Sequence, residues 1–296
     1  MSITTAKRIV ILCSVVMLLS TVGLYNHIAW VKSYYFILMW WPWIALITAY
    51  LISHNKELPW KNRKEFILLT FSSIFIWTFF EAYNLVFHNW IYVRIPLDPP
   101  LRWLGYSLSF ATVLPGLWLA MQLIYPQLKN PEKPRKLFKG WEYLFISIGL
   151  LTAITPLIYP TTCFALVWIA FIFLPEPYLY HKGLLSLTRE YEQGDDRRLT
   201  ALLFAGVLTG FLWELWNWKA GGKWIYTLPF LEGKLFEMPF AGFLGFPVFA
   251  VEVWVMHQFI AHLFKRIKKN NRYVLVVLFA LIVIVIYYGI DSYTVK

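Results

Sequence analysis

Residues 213–226 read Trp-Glu-Leu-Trp-Asn-Trp-Lys-Ala-Gly-Gly-Lys-Trp-Ile-Tyr, and an apolar run follows through Glu252 to Met256. The apolar stretch that ends in this motif predicts a membrane helix with a carboxylate, Glu214, and an amide, Asn217, near one end. The Trp-Ile-Tyr triplet predicts an aromatic hairpin, and the second apolar run predicts a helix that returns through the membrane. We interpret the rest of the chain around this unit.

The first half of the chain contains a copy of the unit. Residues 80–92 begin Phe-Glu-Ala-Tyr-Asn and end Trp-Ile-Tyr. Four pairs of identical residues lie 133 positions apart, and the triplet repeats with a shift of one further position. The four pairs are Pro42 and Pro175, Glu81 and Glu214, Asn84 and Asn217, and Pro96 and Pro229. A fixed offset of this kind indicates an internal duplication.

The composition is that of a polytopic membrane protein. Of the 296 residues 59% are hydrophobic and 15% are charged, whereas about 25% of residues in a soluble domain are charged. A membrane-spanning helix needs about 20 mostly apolar residues, and nine segments are long enough. These segments are about 9–29, 35–53, 66–87, 104–124, 141–159, 162–180, 199–218, 239–263 and 273–290. The sequence therefore predicts an all-α protein with nine transmembrane helices.

The net charge of +11 would suit a nucleic-acid partner, but its distribution along the chain argues against one. If the N-terminus is cytoplasmic, the inner segments hold 20 of the 27 Lys and Arg residues and the outer segments hold seven. This bias follows the positive-inside rule. We therefore expect no nucleic-acid partner, a bacterial-type inner (plasma) membrane, a cytoplasmic N-terminus and an outer C-terminus.

The duplication divides the predicted helices into two parallel sets of four and one additional helix. Parallel repeats of this kind are related by an axis along the membrane normal. The first repeat is residues 1–125, a Pro- and Lys-rich cytoplasmic linker is 126–140, and the second repeat is 141–263. Residues 272–296 form the additional helix.

The paired acids and amides are the main candidates for a functional site. Glu81 and Asn84 are three positions apart, as are Glu214 and Asn217, so each pair lies on one helix face. A carboxylate inside a span is unfavourable unless it faces the bundle interior and has a partner. We expect the acids to be protonatable groups and the amides to orient them or a water molecule. The alternative is that Glu214 pairs with a lysine or an amide and only fixes helix packing.

Two further acids belong to the second half alone. Glu252 falls near mid-membrane and has no counterpart in the first half, which suggests a specialised site. It would otherwise be satisfied by a neighbour such as Asn217. Glu237 is a second catalytic candidate, although it would also serve as a charge at a helix N-terminus. Among the other charged residues, we expect Glu176 to reach water. We expect Arg94 or Arg102 either to pair with Glu81 or to cover the cavity mouth.

The sequence contains no pattern for a metal or a redox cofactor. Its six histidines form no dense cluster, which argues against a di-iron desaturase or hydroxylase. No Gly-rich phosphate loop, CxxC motif or Ser–His nucleophile pattern is present. We therefore expect neither a metal nor a cofactor.

These motifs resemble the membrane-embedded carotenoid (lycopene) cyclase domain family. In that family each repeat has an acid late in one helix, a Trp-x-Tyr hairpin and then a helix that opens with Pro-x-Glu-Glu. Here Glu81 and Glu214 match the first acid, and Pro239 falls where the proline is expected. The paired acids are missing, because Phe240-Ala241-Gly242 follows Pro239. The resemblance implies the fold and an isoprenoid or carotenoid ligand, but not an ordinary lycopene cyclase.

The functional hypothesis is cofactor-free acid catalysis on an isoprenoid or other membrane lipid. Glu214 or Glu252 would protonate a C=C bond, and aromatic faces would stabilise the resulting carbocation. The candidates for substrate contact are Trp213, Trp216, Trp224, Tyr226, Trp90 and Tyr92. Water attack would give a hydratase and ring closure a cyclase. The alternatives are a transporter of a lipid or small solute and a membrane assembly subunit, and the oligomeric state stays open.

Overall fold

The computed structural model describes residues 2–129, 133–228 and 233–296, with only the backbone of Lys269 and Asn270. Within these ranges nine helical spans are long and apolar enough to cross a membrane, as the sequence predicted. Pro229 of the repeated pairs and residues 130–132 of the linker lie outside the described residues. The chain is an all-helical integral membrane protein with a few short strands.

Long helices alternate along the chain with short helical segments and short strands. The helices are α1 (Ile3–Tyr25), α2 (Ala29–Ser53), α3 (Arg63–Phe87), α4 (Pro99–Phe110), α5 (Val113–Ile124), α6 (Trp141–Ile158), α7 (Pro160–Cys163), α8 (Val167–Phe173), α9 (Glu176–His181), α10 (Leu187–Glu192), α11 (Arg197–Lys219), α12 (Gly245–Arg266) and α13 (Lys269–Tyr293). The strands are β1 (Trp90–Val93), β2 (Lys223–Tyr226), β3 (Lys234–Leu235) and β4 (Met238–Pro239).

The fourth span is broken between α4 and α5, and a side chain of α3 bridges the break. Pro115 has no N–H to donate to the carbonyl four residues earlier, so the helical hydrogen bonds are interrupted there. The hydroxyl of Ser73, which is fully buried, donates to the Phe110 carbonyl at 2.5 Å and accepts from the Leu114 N–H at 3.0 Å. The break is therefore satisfied by the neighbouring helix, as membrane burial requires.

The sixth span is also discontinuous, and Pro175 and Pro177 mark the break before its last helical segment. It consists of α7, a 3-10 turn over Phe164–Leu166, α8 and α9. The expectation that Glu176 reaches water is wrong, since this side chain is only 1% exposed. Its carboxylate accepts hydrogen bonds from the Ser186 hydroxyl at 2.6 Å and from the Leu187 and Thr188 amides at 3.1 Å. Glu176 thus ties the end of the span to the loop that carries α10.

The centre of the bundle is formed by α2, α3, α5, α11 and α12. Their largest fully buried side chains include Trp40, Phe80 and Trp254. Gly206 and Gly210 of α11 face Phe246 at the start of α12, so closely that a Cβ atom at either position would overlap it. Small residues four positions apart allow such close helix packing.

The last helix, α13, lies at the periphery and is fixed by Asp291. The Asp291 carboxylate accepts two hydrogen bonds from the Arg102 guanidinium, at 2.8 and 2.6 Å. It also accepts from Trp103 Nε1 at 2.8 Å and from the Tyr106 hydroxyl at 3.1 Å. Arg102 therefore pairs with Asp291 and not with Glu81, which was one of the two roles expected for it or Arg94. All three donors belong to α4, so one carboxylate attaches α13 to that helix.

Replacing Asp291 by Ala is expected to destabilise the bundle. The change leaves the Arg102 charge and two further donors without their acceptor. Breaking a fully buried ion pair in this way destabilises a protein by roughly 3–5 kcal/mol. Because both side chains are slightly exposed, we expect about 2–3 kcal/mol, measured as a lower Tm in detergent by tryptophan fluorescence. Glu57→Ala, at an exposed loop position, is the control. An equal Tm for the two variants would contradict this role of Asp291.

Candidate functional site

The two Trp-Ile-Tyr triplets pair with each other. Strand β1 lies antiparallel to β2, with Trp90 opposite Tyr226, Ile91 opposite Ile225 and Tyr92 opposite Trp224. The sequence predicted a separate hairpin in each half, and this detail is wrong because each strand takes its partner from the other half. We call these paired strands the aromatic ribbon.

The ribbon presents its four large aromatic residues on one face. Directly opposed residues share a face of a sheet and alternate residues return to it, so Trp90, Tyr92, Trp224 and Tyr226 lie together. All four line a cavity of about 630 Å³. Ile91 and Ile225 point to the opposite face.

Both strands are held to their preceding helices by asparagine side chains. The Asn84 amide donates to the Trp90 carbonyl at 2.9 Å, and its oxygen accepts from the Asn89 and Trp90 amides at 2.8 and 3.2 Å. Asn217 donates to the Trp224 carbonyl at 2.9 Å and accepts from the Trp224 N–H at 3.0 Å. These hydrogen bonds of the two amides go to the strand backbone.

Glu81 lies on the aromatic face of the ribbon, at the tips of Trp90 and Tyr92, and is fully buried. Its Oε1 atom accepts hydrogen bonds from the Tyr92 hydroxyl at 2.5 Å, Trp77 Nε1 at 2.9 Å and Trp90 Nε1 at 3.1 Å. Its Oε2 atom has no hydrogen-bond partner among the described residues. Glu81 is therefore held by three donors that all reach one oxygen.

Glu214 occupies the corresponding place beside β2 and has fewer hydrogen-bond donors among the described residues. It is fully buried, and its Oε1 atom accepts one hydrogen bond, from the Tyr226 hydroxyl at 2.9 Å. Within the described part of the chain its Oε2 atom is also without a partner. The donor is a phenol, and neither a lysine nor Asn217 donates to Glu214 among the described residues.

The two phenols are hydrogen-bond donors at neutral pH. Burial, followed by the neighbouring Glu81 carboxyl, raises the pKa of Tyr92 well above its ordinary value near 10. Burial and Glu214 raise the pKa of Tyr226 in the same way. Both phenols therefore remain protonated.

The cavity is walled mainly by aromatic and aliphatic side chains from several helices. Besides the ribbon, its lining includes Trp77, Trp168, Trp213, Phe246 and Phe249. Glu81 and Glu214 are not among the lining residues, but the tyrosines bonded to them are. The structure places Trp216 in the helical core against Trp40, at a ring-centroid distance of 4.8 Å. The walls suit an apolar, unsaturated molecule.

Two cations that line the cavity are neutralised within the protein. Arg102 is bound to Asp291, and Lys223 forms an ion pair with Glu237. Glu237 lies between β3 and β4, before the 3-10 turn Phe240–Leu244 that precedes α12. The interpretation of Glu237 as a charge at a helix N-terminus is therefore wrong, because its partner is Lys223.

Glu252 lies apart from the cavity lining. It is fully buried, and its Oε1 atom accepts from the Phe171 N–H of α8 at 2.9 Å. Its Oε2 atom lacks a hydrogen-bond partner in the described ranges. The suggested pairing with Asn217 is wrong, since Asn217 binds the backbone of β2.

Sequence reasoning missed Asp291 and the aromatic residues of the sixth span that reach the cavity. Asp291 carries a recognisable signal, because it is a single acid near the end of an otherwise apolar predicted helix. Trp168 carries no such signal, since a tryptophan in a span is ordinary. In the described part of the chain, no group of three or more His, Cys, Asp or Glu side chains could hold a metal ion.

Comparisons of the chain with protein-family models, with curated proteins and with solved structures found no match. Its function is therefore inferred from the residues and their geometry.

Replacing either asparagine by Ala is expected to loosen the ribbon. Asn84→Ala removes three hydrogen bonds to buried backbone groups, and Asn217→Ala removes two to partly buried ones. Each buried backbone group left unsatisfied destabilises by about 1–3 kcal/mol. We expect a lower Tm for both variants, with the larger decrease for Asn84→Ala. Asn271→Ala, at an exposed position, is the control. Wild-type Tm values for both variants would show that the asparagines do not hold the strands.

Proposed function

We propose that this protein is a membrane enzyme that transforms an isoprenoid or another apolar lipid by cofactor-free acid catalysis, of the cyclase or hydratase type. One observation carries the proposal. Two buried carboxylates each accept a hydrogen bond from a tyrosine, and both tyrosines line the same aromatic cavity. This arrangement combines a source of protons with an apolar binding site.

The proposed reaction begins with proton transfer to a C=C bond of the bound lipid. The proton forms a C–H bond, the π electrons of the double bond are consumed, and a carbocation remains on the adjacent carbon. Tryptophan and tyrosine faces around the cavity stabilise that cation through their quadrupoles. Loss of a proton after ring closure gives a cyclic isomer, whereas attack by water followed by loss of a proton gives an alcohol. In both cases the proton released balances the one supplied.

Two symmetry-like features support the proposed duplication into residues 1–125 and 141–263. The two Trp-Ile-Tyr triplets pair about their central residues, with Ile91 opposite Ile225. In both halves an asparagine binds the strand backbone and a tyrosine binds a glutamate. On this interpretation residues 126–140 join the two repeats, and 272–296 lie outside both of them.

The lipid profile of a polyene-producing bacterial host tests the enzyme proposal. We expect a species shifted by one water, or an isomer of an existing isoprenoid, only when the unmutated protein is expressed. Glu81→Gln/Glu214→Gln, at equal abundance, is expected to abolish it because an amide cannot supply the proton. Identical profiles for the two proteins would count against activity on the lipids of that host.

We further propose that the protein lies in a bacterial-type inner membrane, with its N-terminus in the cytoplasm and its C-terminus outside. The distribution of Lys and Arg supports this orientation. A peptide tag fused after Lys296 is expected to be cleaved by protease added to intact spheroplasts, whereas a tag before Met1 is expected to be protected. The reverse protection pattern would invert the topology.

Transport is a second candidate function, and Glu252 is the observation that favours it. This carboxylate binds a discontinuous span at its Phe171 amide, and buried carboxylates beside broken helices occur in transporters. A change in lipid distribution between membrane leaflets, with an unchanged lipid composition and dependence on Glu252, would support transport over catalysis.

A further inference from the structure

The two Tyr–Glu pairs differ in how the carboxylate is bound. Among the described residues three donors lie within hydrogen-bond distance of Oε1 of Glu81, whereas one, the Tyr226 hydroxyl, lies within that distance of Oε1 of Glu214. A carboxylate oxygen that accepts three hydrogen bonds has no room for a proton of its own. The Tyr92 hydrogen is therefore directed at Glu81, away from a bound molecule.

The Tyr226–Glu214 contact has no such restriction. A single hydrogen bond joins the Tyr226 phenol oxygen and Oε1 of Glu214, so its direction can reverse. When Glu214 is protonated, it can donate to the phenol oxygen, and the phenol hydrogen is then free to point elsewhere. Glu214 has no paired cation in the described ranges, and a buried carboxyl without such a partner is compatible with the protonated form. The Tyr226 side chain is also partly exposed, whereas Tyr92 is only 7% exposed.

The backbone of Tyr92 is also held by more hydrogen-bonded neighbours than the backbone of Tyr226. On the edge of β1 away from β2, the Tyr92 N–H donates to the Thr294 carbonyl at 2.8 Å, and the Lys296 N–H donates to the Tyr92 carbonyl at 2.9 Å. Asp291 anchors this tail to α4. In the part of the chain that the structure describes, β2 pairs with β1 alone. Tyr92 is thus fixed on both sides and Tyr226 on one.

We propose that Tyr226 and Glu214 form the proton relay of the site, and that Tyr92 and Glu81 are positioning residues that hold the ribbon. The assignment rests on the proposed function. In the step, Tyr226 transfers its phenol proton to a C=C carbon of the lipid, while the Glu214 carboxyl proton moves to the phenol oxygen. The proton that the cation later loses returns through Tyr226 to the Glu214 carboxylate, so the relay is regenerated.

The test compares single variants in the same polyene-producing host. Glutamine cannot supply a proton but still offers an oxygen that accepts hydrogen bonds. Glu214→Gln and Tyr226→Phe are therefore expected to reduce the new lipid species about 100-fold or more per molecule of folded protein. Glu81→Gln and Tyr92→Phe are expected to give a loss at least tenfold smaller. Tyr288→Phe, on the exposed side of α13, is the control for the tyrosine substitutions.

A stability measurement separates this assignment from the proposed function. Glu81→Leu removes the acceptor of three donors and Glu214→Leu removes the acceptor of one, so Glu81→Leu is expected to give the larger decrease in Tm of the purified protein. Absence of any new lipid species with the unmutated protein would overturn the proposed function and the relay together. New species that are lost equally in the Glu81→Gln and Glu214→Gln variants would overturn the relay alone. A Tm decrease as large for Glu214→Leu as for Glu81→Leu would overturn the positioning role.

Discussion

Burying a carboxyl group in an apolar bundle requires hydrogen-bond donors, and this constraint connects most of the features around the cavity. Glu81 and Glu214 obtain donors from tyrosines that are not in their own helices. Those tyrosines can reach the acids only if short strands bring them back over the helix ends, and the strands remain in place because Asn84 and Asn217 bind their backbone. The acid, the amide and the Trp-x-Tyr triplet therefore form one structural unit.

The same unit leads to different local structures in the two halves. The first acid has two indole donors in addition to its tyrosine, and the chain beyond α13 covers the free edge of β1. Among the described residues the second acid has a geometrically defined hydrogen bond from its tyrosine and none from an indole, and the Lys223–Glu237 ion pair lies in the adjoining loop. Two similar sequences thus carry acids in different environments, which gives a physical basis for assigning them different roles.

The sequence was sufficient for the features that depend on local pattern. Hydropathy predicted the nine spans, and helical spacing identified Glu81, Asn84, Glu214 and Asn217. It failed for features that depend on contacts between distant residues, because their partners have no fixed spacing along the chain. The pairing of β1 with β2, the binding of Arg102 by Asp291 and the pairing of Glu237 with Lys223 belong to this class. The place of the asparagine hydrogen bonds was also missed, since an amide three residues after an acid does not reveal whether it binds the acid or the backbone.

The register of the ribbon also determines when the protein can mature during its synthesis. Strand β1 follows the third span, but its partner β2 follows the seventh, so four more helices enter the membrane before the two strands meet. Until then Tyr92 has no cross-strand neighbour, and the cavity lacks the wall that β2 supplies. Contacts between such distant segments form late, because the intervening loop must first be closed. During synthesis the first half of the site therefore stays incomplete until the second half has been inserted.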